Sequence, residues 1–244
     1  MSTPTRVALV MGGSGGIGRT VVERLAADGM AVGVHYAGNR DAADEAVKAI
    51  EAAGGRAITV TGDVADERET AAVFDAMEAV FGGIDVVVNA AGILALSPLA
   101  TFDLDVLDRM HRTNIRGAFV VAQQAARRAR AGGAIIGFST SQTRMGFPGY
   151  SAYAASKAAV ETMTFVLARE MRGRDVTVNA VAPGPTATAM FLEGKDRATI
   201  DRLMAQPPLE RLGTPADIAD VVSFLAGPAR WINGQVIYAN GGIA

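Results

Sequence analysis

Short apolar runs alternate along this chain with stretches whose apolar residues recur at helical spacing, and that alternation constrains its fold most. Val7-Ala8-Leu9-Val10, Ala31–Tyr36, Ala57–Thr61, Ile84-Asp85-Val86-Val87-Val88, Ala134–Ser139, Val176–Val181 and Gln235–Tyr238 read as strands. Ile17–Asp28, Asp41–Ala53, Glu67–Phe81, Leu104–Arg130 and Ala152–Arg172 read as the helices between them. Gly29, Gly54-Gly55 and Gly82-Gly83 stand where helices stop, the position that favours a residue free to turn left-handed. Strands apolar throughout, joined by amphipathic helices, imply a parallel sheet covered on both faces. The expected class is therefore α/β: one doubly wound domain over residues 1–244, with a parallel sheet of about seven strands. No repeat, low-complexity linker or break in composition divides it.

Charge and composition exclude several functions. The formal net charge of −2 offers no general attraction to nucleic acid or an anionic membrane. No apolar stretch approaches the ~20 residues of a membrane span. Met1-Ser2-Thr3-Pro4-Thr5-Arg6 leads into Val7–Met11, too short a run for the apolar part of a leader peptide. With no Cys there is no thiolate nucleophile, disulfide or Cys-based zinc site. No metal is expected, and the location expected is the cytoplasm.

Gly12-Gly13-Ser14-Gly15-Gly16-Ile17-Gly18 lies between the first strand and the first helix. Glycines there let the backbone turn sharply and approach a pyrophosphate, whose charge meets free N–H groups at the helix start. The spacing of Gly12, Gly16 and Gly18 is G-x-x-x-G-x-G, and no Gly-Lys-Ser/Thr follows as in a nucleotide triphosphatase loop. Further on, Tyr153-Ala154-Ala155-Ser156-Lys157 sets a phenol and an ammonium four residues apart, on one helix face. An ordinary Tyr titrates near ~10. A neighbouring Lys⁺ favours the phenolate and is expected to lower that value.

With these motifs in order, the chain resembles the short-chain dehydrogenase/reductase family over essentially its whole length. Met11 stands where the family usually has a Thr, and the loop glycines are intact. The resemblance implies a Rossmann fold and a nicotinamide cofactor held by Gly12, Ser14, Gly15, Gly16, Ile17 and Gly18. In NAD-using members an acid near the end of the second strand takes the ribose hydroxyls. Here the segment runs Tyr36-Ala37-Gly38-Asn39-Arg40, with no acid before Asp41. Tyr36, Asn39 and Arg40 are therefore expected at a 2′-phosphate, which favours NADP and leaves NAD as the alternative; Arg40 also reads as a solvated helix start. Asp63, beside Val64, is expected to cap the adenine amino group or a helix N-terminus. Asn89-Ala90-Ala91-Gly92 resembles the family's Asn-Asn-Ala-Gly, with Ala90 in place of the second Asn. In Pro183-Gly184-Pro185-Thr186-Ala187-Thr188, the backbone near Thr186 and the hydroxyl of Thr188 are expected to hold the carboxamide.

The family's catalytic group adds a strand-end hydroxyl and a helical Asn. Counting thirteen residues back from Tyr153 gives Thr140, flanked by Ser139 and Ser141. A hydroxyl-rich strand end also serves to satisfy backbone groups, and that reading applies to two of the three. Asn114 is expected to distort its helix and hold a water that links Lys157 to solvent. The expected tetrad is Asn114, Thr140, Tyr153 and Lys157, reducing a ketone or aldehyde with Tyr153 as the acid. The alternative is a non-catalytic nucleotide-sensing protein of the same fold. Ile93, Leu94, Met145, Phe147, Tyr150, Met190 and Phe191 are expected to form a mostly apolar substrate wall. The nearest likeness is to 3-oxoacyl-acyl-carrier-protein reductases, so a 3-oxoacyl thioester is one candidate substrate. Arg127, Arg128 and Arg130 read either as a solvated helix end or as a dock for an acidic carrier protein. A homotetramer is expected, with a dimer next.

Overall fold

The computed structural model describes residues 5–244, so Met1, Ser2, Thr3 and Pro4 of the leader-peptide reading lie outside the described residues. β1 (Val7–Met11), β2 (Ala31–Tyr36), β3 (Arg56–Thr61), β4 (Ile84–Asn89), β5 (Ala129–Phe138), β6 (Thr177–Pro183) and β7 (Val236–Ala239) form one sheet. Its order is β3-β2-β1-β4-β5-β6-β7, and every pairing is parallel. The chain reverses its direction of travel between β1 and β4, so the loops after these two strands diverge and leave a crevice at their carboxyl ends.

Helices cover both faces. α1 (Gly16–Ala27), α2 (Arg40–Ala52) and α10 (Pro215–Ala226) cover one face, where Val10, Val34, Val88, Ile136 and Phe138 pack against Val21, Leu25, Ala46 and Val222. α3 (Glu67–Phe81), α5 (Gly117–Arg128) and α7 (Ser151–Glu170) cover the other, where Leu9, Val87 and Ile135 meet Phe74, Met77, Val121 and Leu167. Burying both faces of the central strands explains their unbroken apolar sequences. The remaining α-helices among the described residues are α4 (Leu104–His111), α6 (Gln142–Met145), α8 (Ala189–Leu192) and α9 (Arg197–Met204).

Two expectations change. The long helix read over Leu104–Arg130 is α4, a wide π turn over Arg112–Arg116, then α5. The turn lies at Asn114, whose side chain is committed to another loop. The last residues of that reading belong to β5, which starts at Ala129 rather than Ala134. Gly132-Gly133 looks like a breaker, yet a Cβ on Gly133 would collide with the Asp85 and Arg130 carbonyls. This pair lets β5 pass close to β4 at its register shift between Ile84 and Val86. The start of α10 carries a signal in its residues: Thr214 and Asp217 form a reciprocal capping box with Pro215 behind the cap.

Candidate active site

The glycine loop is built by close approach. Gly12 has φ +73°, and a Cβ there would lie 2.8 Å from the Ala91 nitrogen. A Cβ on Gly18 would strike the Gly12 carbonyl, so the start of α1 packs directly beneath the loop. Gly15 caps α1 without any side-chain hydrogen bond, and a Cβ on it would meet nothing within 4 Å. The first helical N–H groups are thus left to a ligand, and no acid in the first turn repels an anion. These features fit a dinucleotide phosphate.

A cleft of about 630 Å³ opens from this loop. Gly12, Ser14, Gly15, Gly16, Ile17, Gly18, Asp63, Val64, Ala90, Gly92, Thr140, Tyr153, Lys157, Pro183, Gly184, Thr186 and Thr188 all line it. Asn114, Tyr36, Asn39, Arg40 and Asn89 stand outside its wall. Tyr36 packs against the apolar core. Asn39 caps α2, accepting from the Ala42 N–H at 3.0 Å. Arg40 is exposed, 3.4 Å from Asp44. The Asn89 side chain accepts from the Ala91 N–H. Asp63 does not cap α3; Asp66 does. One Asp63 oxygen accepts from the Ala65 N–H and the other pairs with Arg112 at 2.7 Å.

Asn114 is 1% exposed. It accepts from the Ile93 N–H and donates to the Ile93 carbonyl, both at 2.9 Å, and to Ser156 Oγ at 3.1 Å. It therefore fixes the chain just after Gly92. A void of about 20 Å³, on the scale of a single water, has Asn89, Asn114 and Lys157 on a wall otherwise lined mainly by apolar side chains such as Val121, Ile135 and Leu167.

Tyr153 and Lys157 share the cleft-facing side of α7. Lys157 Nζ lies 5.9 Å from the phenol ring centre and donates to the Phe138 carbonyl at 3.1 Å. Burial pushes the Lys157 pKa down to about 8. Burial, with a smaller push from Tyr150, raises that of Tyr153 to about 12. The expected depression of the phenol by its lysine is thus absent: desolvation outweighs a cation turned toward a carbonyl. Tyr153 is held as the neutral phenol at pH 7, poised to give a proton.

The strand-end hydroxyls separate by face. Ile135 packs with Leu167 of α7, and a Cβ on Gly137 would meet Val160 of α7. Phe138 lies on the other face, in the cluster that holds Val222. By this alternation Ser139 faces α7, and its hydroxyl donates to Glu161 at 2.6 Å. Thr140 Oγ1 instead accepts from the Gln142 N–H, and Ser141 Oγ donates to the Ala182 carbonyl. Ser139 and Ser141 thus spend their protons on Glu161 and the Ala182 carbonyl, whereas Thr140 only accepts and keeps its O–H for the cleft it lines. Glu161 was missed in the sequence, although positions 153, 157 and 161 fall on one helix face. It also accepts from Thr143 at 2.9 Å and Tyr238 at 3.3 Å.

Beyond the Pro-Gly turn, Thr186 Oγ1 donates to the Gly184 carbonyl, while Thr188 Oγ1 accepts from the Phe191 N–H and starts α8. Ile93, Leu94, Met145, Tyr150, Met190 and Phe191 form the expected apolar wall, with Gln142 as an unforeseen polar member. Phe147 is not on it; its ring stands edge-on to Tyr150 at 6.4 Å, and Tyr150 edge-on to Tyr153 at 6.5 Å. Among the described residues, Lys157 is the only cation lining the cleft. Arg128 pairs with Asp75 and Glu78, and Arg130 with Asp85, so neither is a free charge for a carrier protein. Among the described residues no helix is long and apolar enough to cross a membrane, and no group of three His, Cys, Asp or Glu could hold a metal ion.

This geometry has close parallels. The family model described as enoyl-(acyl carrier protein) reductase matches residues 12–244. The chain belongs to the short-chain dehydrogenase/reductase family. A short-chain type dehydrogenase/reductase of Picea abies is 43% identical over 97% of this chain and 92% of its own. An NADPH-dependent aldehyde reductase-like chloroplastic protein of Arabidopsis thaliana is 39% identical over 97% of this chain and 93% of its own. A short-chain dehydrogenase of Burkholderia cenocepacia, solved in complex with NADP, superposes with TM-score 0.92 at 38% identity, covering 99% of this chain and 98% of that one. As a short-chain dehydrogenase/reductase, the chain keeps the glycine loop, the Tyr-x-x-x-Lys pair and the Pro-Gly turn in one cleft.

Proposed function

We propose that this chain is an NADP-dependent reductase of neutral, largely apolar aldehydes and ketones, with Tyr153 as the proton donor. The observation that carries this reading is the meeting of a neutral, buried phenol, a buried lysine and a strand-end hydroxyl on one dinucleotide-shaped cleft. NADPH, when bound, supplies the hydride. Tyr153 gives its proton to the carbonyl oxygen as the alcohol forms. Thr140 holds that oxygen: its hydroxyl accepts from the Gln142 N–H and keeps its own hydrogen to donate, while the protons of Ser139 and Ser141 serve Glu161 and the Ala182 carbonyl. Lys157 holds the ribose and favours phenolate after transfer. Asn114 fixes the Ile93 loop and leads the replacement proton to Lys157 through the water-sized void.

The apolar wall, with no second cation on it among the described residues, favours a neutral carbonyl over a keto acid, a sugar phosphate or the phosphopantetheine arm of an acyl carrier. The test is NADPH consumption across aldehydes, diketones and β-keto esters. Stoichiometric NADPH binding with no turnover on any of them would favour the nucleotide-sensing alternative instead.

NADPH preference has a local cause in this reading. No acid lies on Ala37-Gly38, and Arg40 is held only by a surface pairing that costs little to release. One charge-assisted hydrogen bond contributes about 1.5–3 kcal/mol, and screening of an exposed guanidinium favours the low end. Arg40→Ala should weaken NADPH binding about tenfold and leave NADH unchanged; Ala37→Asp should move the preference toward NADH. Equal loss for both cofactors in Arg40→Ala would leave Arg40 as a helix-start residue only.

The Lys157 charge gives a pH signature. A pKa lowered to about 8 means the cation is present below that value and lost above it. kcat/KM for NADPH should therefore fall on the alkaline side, and Lys157→Arg should flatten that limb while lowering kcat. An alkaline limb unchanged in Lys157→Arg would assign it elsewhere.

A homotetramer is part of this reading. Phe119, Phe165 and Val166 on α5 and α7 are 52%, 51% and 46% exposed beside a largely apolar groove. Light scattering should give four times the 25.2 kDa chain mass; a single-chain mass at micromolar concentration would refute the assembly.

A further inference from the structure

His35 is a second buried titratable group at the cleft, and the chemistry above does not use it. It lies on β2 opposite Val60 of β3 and is 1% exposed. Its Nδ1 accepts from the Gly12 N–H at 3.1 Å, and its Nε2 stands 2.8 Å from the Gly62 carbonyl. A carbonyl can only accept and an amide N–H can only donate, so these partners admit one form of the ring: neutral, with hydrogen on Nε2 and Nδ1 bare. Gly12 opens the phosphate loop and already touches Ala91 on its other side. Gly62 leads into Asp63 and Val64 on the cleft wall. A single ring thus ties the loop after β1 to the loop after β3, and itself faces the cleft between them.

We propose that His35 is a positioning residue for dinucleotide binding: the neutral ring locks these two loops together, and mild acid unlocks them. This rests on the cleft being a dinucleotide site. Protonation would place a hydrogen on Nδ1, directly against the Gly12 N–H, so donor would face donor and the lock must open. Burial holds the ring below the usual histidine range, opposed by the hydrogen bond to the Gly62 carbonyl and by Asp63. The other charges near this loop are Glu69 of α3, which accepts from the Asp63 N–H, and Arg112, which pairs with Asp63. Neither touches the ring, and burial outweighs the two groups that favour its cation.

The test is dinucleotide affinity of the full-length protein, followed by nicotinamide fluorescence from about pH 8 to about pH 5.5. NADH is titrated beside NADPH because it lacks a 2′-phosphate that titrates in this range. Wild-type affinity for both should be level near neutrality and fall several-fold, at most about tenfold, toward the acid end, because burial keeps the ring below the usual histidine range. His35→Asn keeps an acceptor where Nδ1 stood and does not titrate, so its NADH affinity should be flat with pH. His35→Leu should bind both weakly at every pH. A flat wild-type NADH profile overturns the inference without recourse to any variant, as does an equal acid slope in wild type and His35→Asn. If the wild type binds neither dinucleotide, the reading of the cleft fails as well.

Discussion

Tyr153→Phe should lower kcat by about 10³-fold, within the range that a positioned general acid contributes, while NADPH affinity stays near wild type. The substitution removes one oxygen and keeps the ring that stands edge-on to Tyr150. It leaves the Lys157 bond to the Phe138 carbonyl untouched. The expected split is therefore in turnover alone, read by steady-state rates beside NADPH fluorescence titration. The direction of the phenol's pKa sharpens the case. Burial raises it to about 12, so the proton is present throughout the working range and the group is an acid without any help. In the oxidative direction it must first become phenolate, which this environment opposes. Reduction should thus hold its rate across neutral pH, whereas alcohol oxidation should climb steeply with pH in wild type. A Tyr153→Phe enzyme that keeps more than about a tenth of wild-type kcat would remove Tyr153 from the chemistry.

Thr140→Ala should cost about 10²-fold in kcat, as loss of a donor to a developing oxyanion does. Ser139→Ala and Ser141→Ala should each stay within a few-fold, since their hydroxyls serve Glu161 and the Ala182 carbonyl. Glu161 extends the test. It gathers Ser139, Thr143 and Tyr238 on one carboxylate oxygen, so it joins the end of β5 to α6 and β7 and holds the strand end that carries Thr140. Glu161→Gln keeps an acceptor and should be mild; Glu161→Leu should lower kcat more than it changes KM. In a Thr140→Ala background the Glu161→Leu change should add little, because two residues that act through one group are not additive. Additive losses would separate Glu161 from Thr140. If Ser139→Ala is the severe variant and Thr140→Ala the mild one, the hydroxyl that faces Glu161 holds the substrate and the register reached by counting is wrong.

Much of this protein is legible in its residues alone. Continuous apolar runs such as Val7–Val10 and Val86–Val88 can be satisfied only by burial on both faces, which requires a parallel sheet between helix layers. A glycine cluster after the first strand can only be a close approach of backbone to backbone or to ligand, and Gly12, Gly16 and Gly18 carry that in their spacing. Tyr153 and Lys157 share a helix face by arithmetic. These are local properties, set by period, sterics and chain order. What the tertiary structure decided is what each polar group spends its hydrogen bonds on. Ser139, Thr140 and Ser141 read alike as strand-end hydroxyls; only the packing around the end of β5 claims the protons of the two serines and leaves that of Thr140 to the cleft. Asn114 interrupts a helix because Ile93, twenty-one residues away, claims its amide. His35 reads as one more residue of a buried strand until Gly12 and Gly62 are placed on its two nitrogens. The Tyr153 pKa follows the same rule: the sequence supplies a lysine four residues away, but the fold turns that lysine to a carbonyl and buries the phenol, and in a low dielectric desolvation outweighs a cation at that distance.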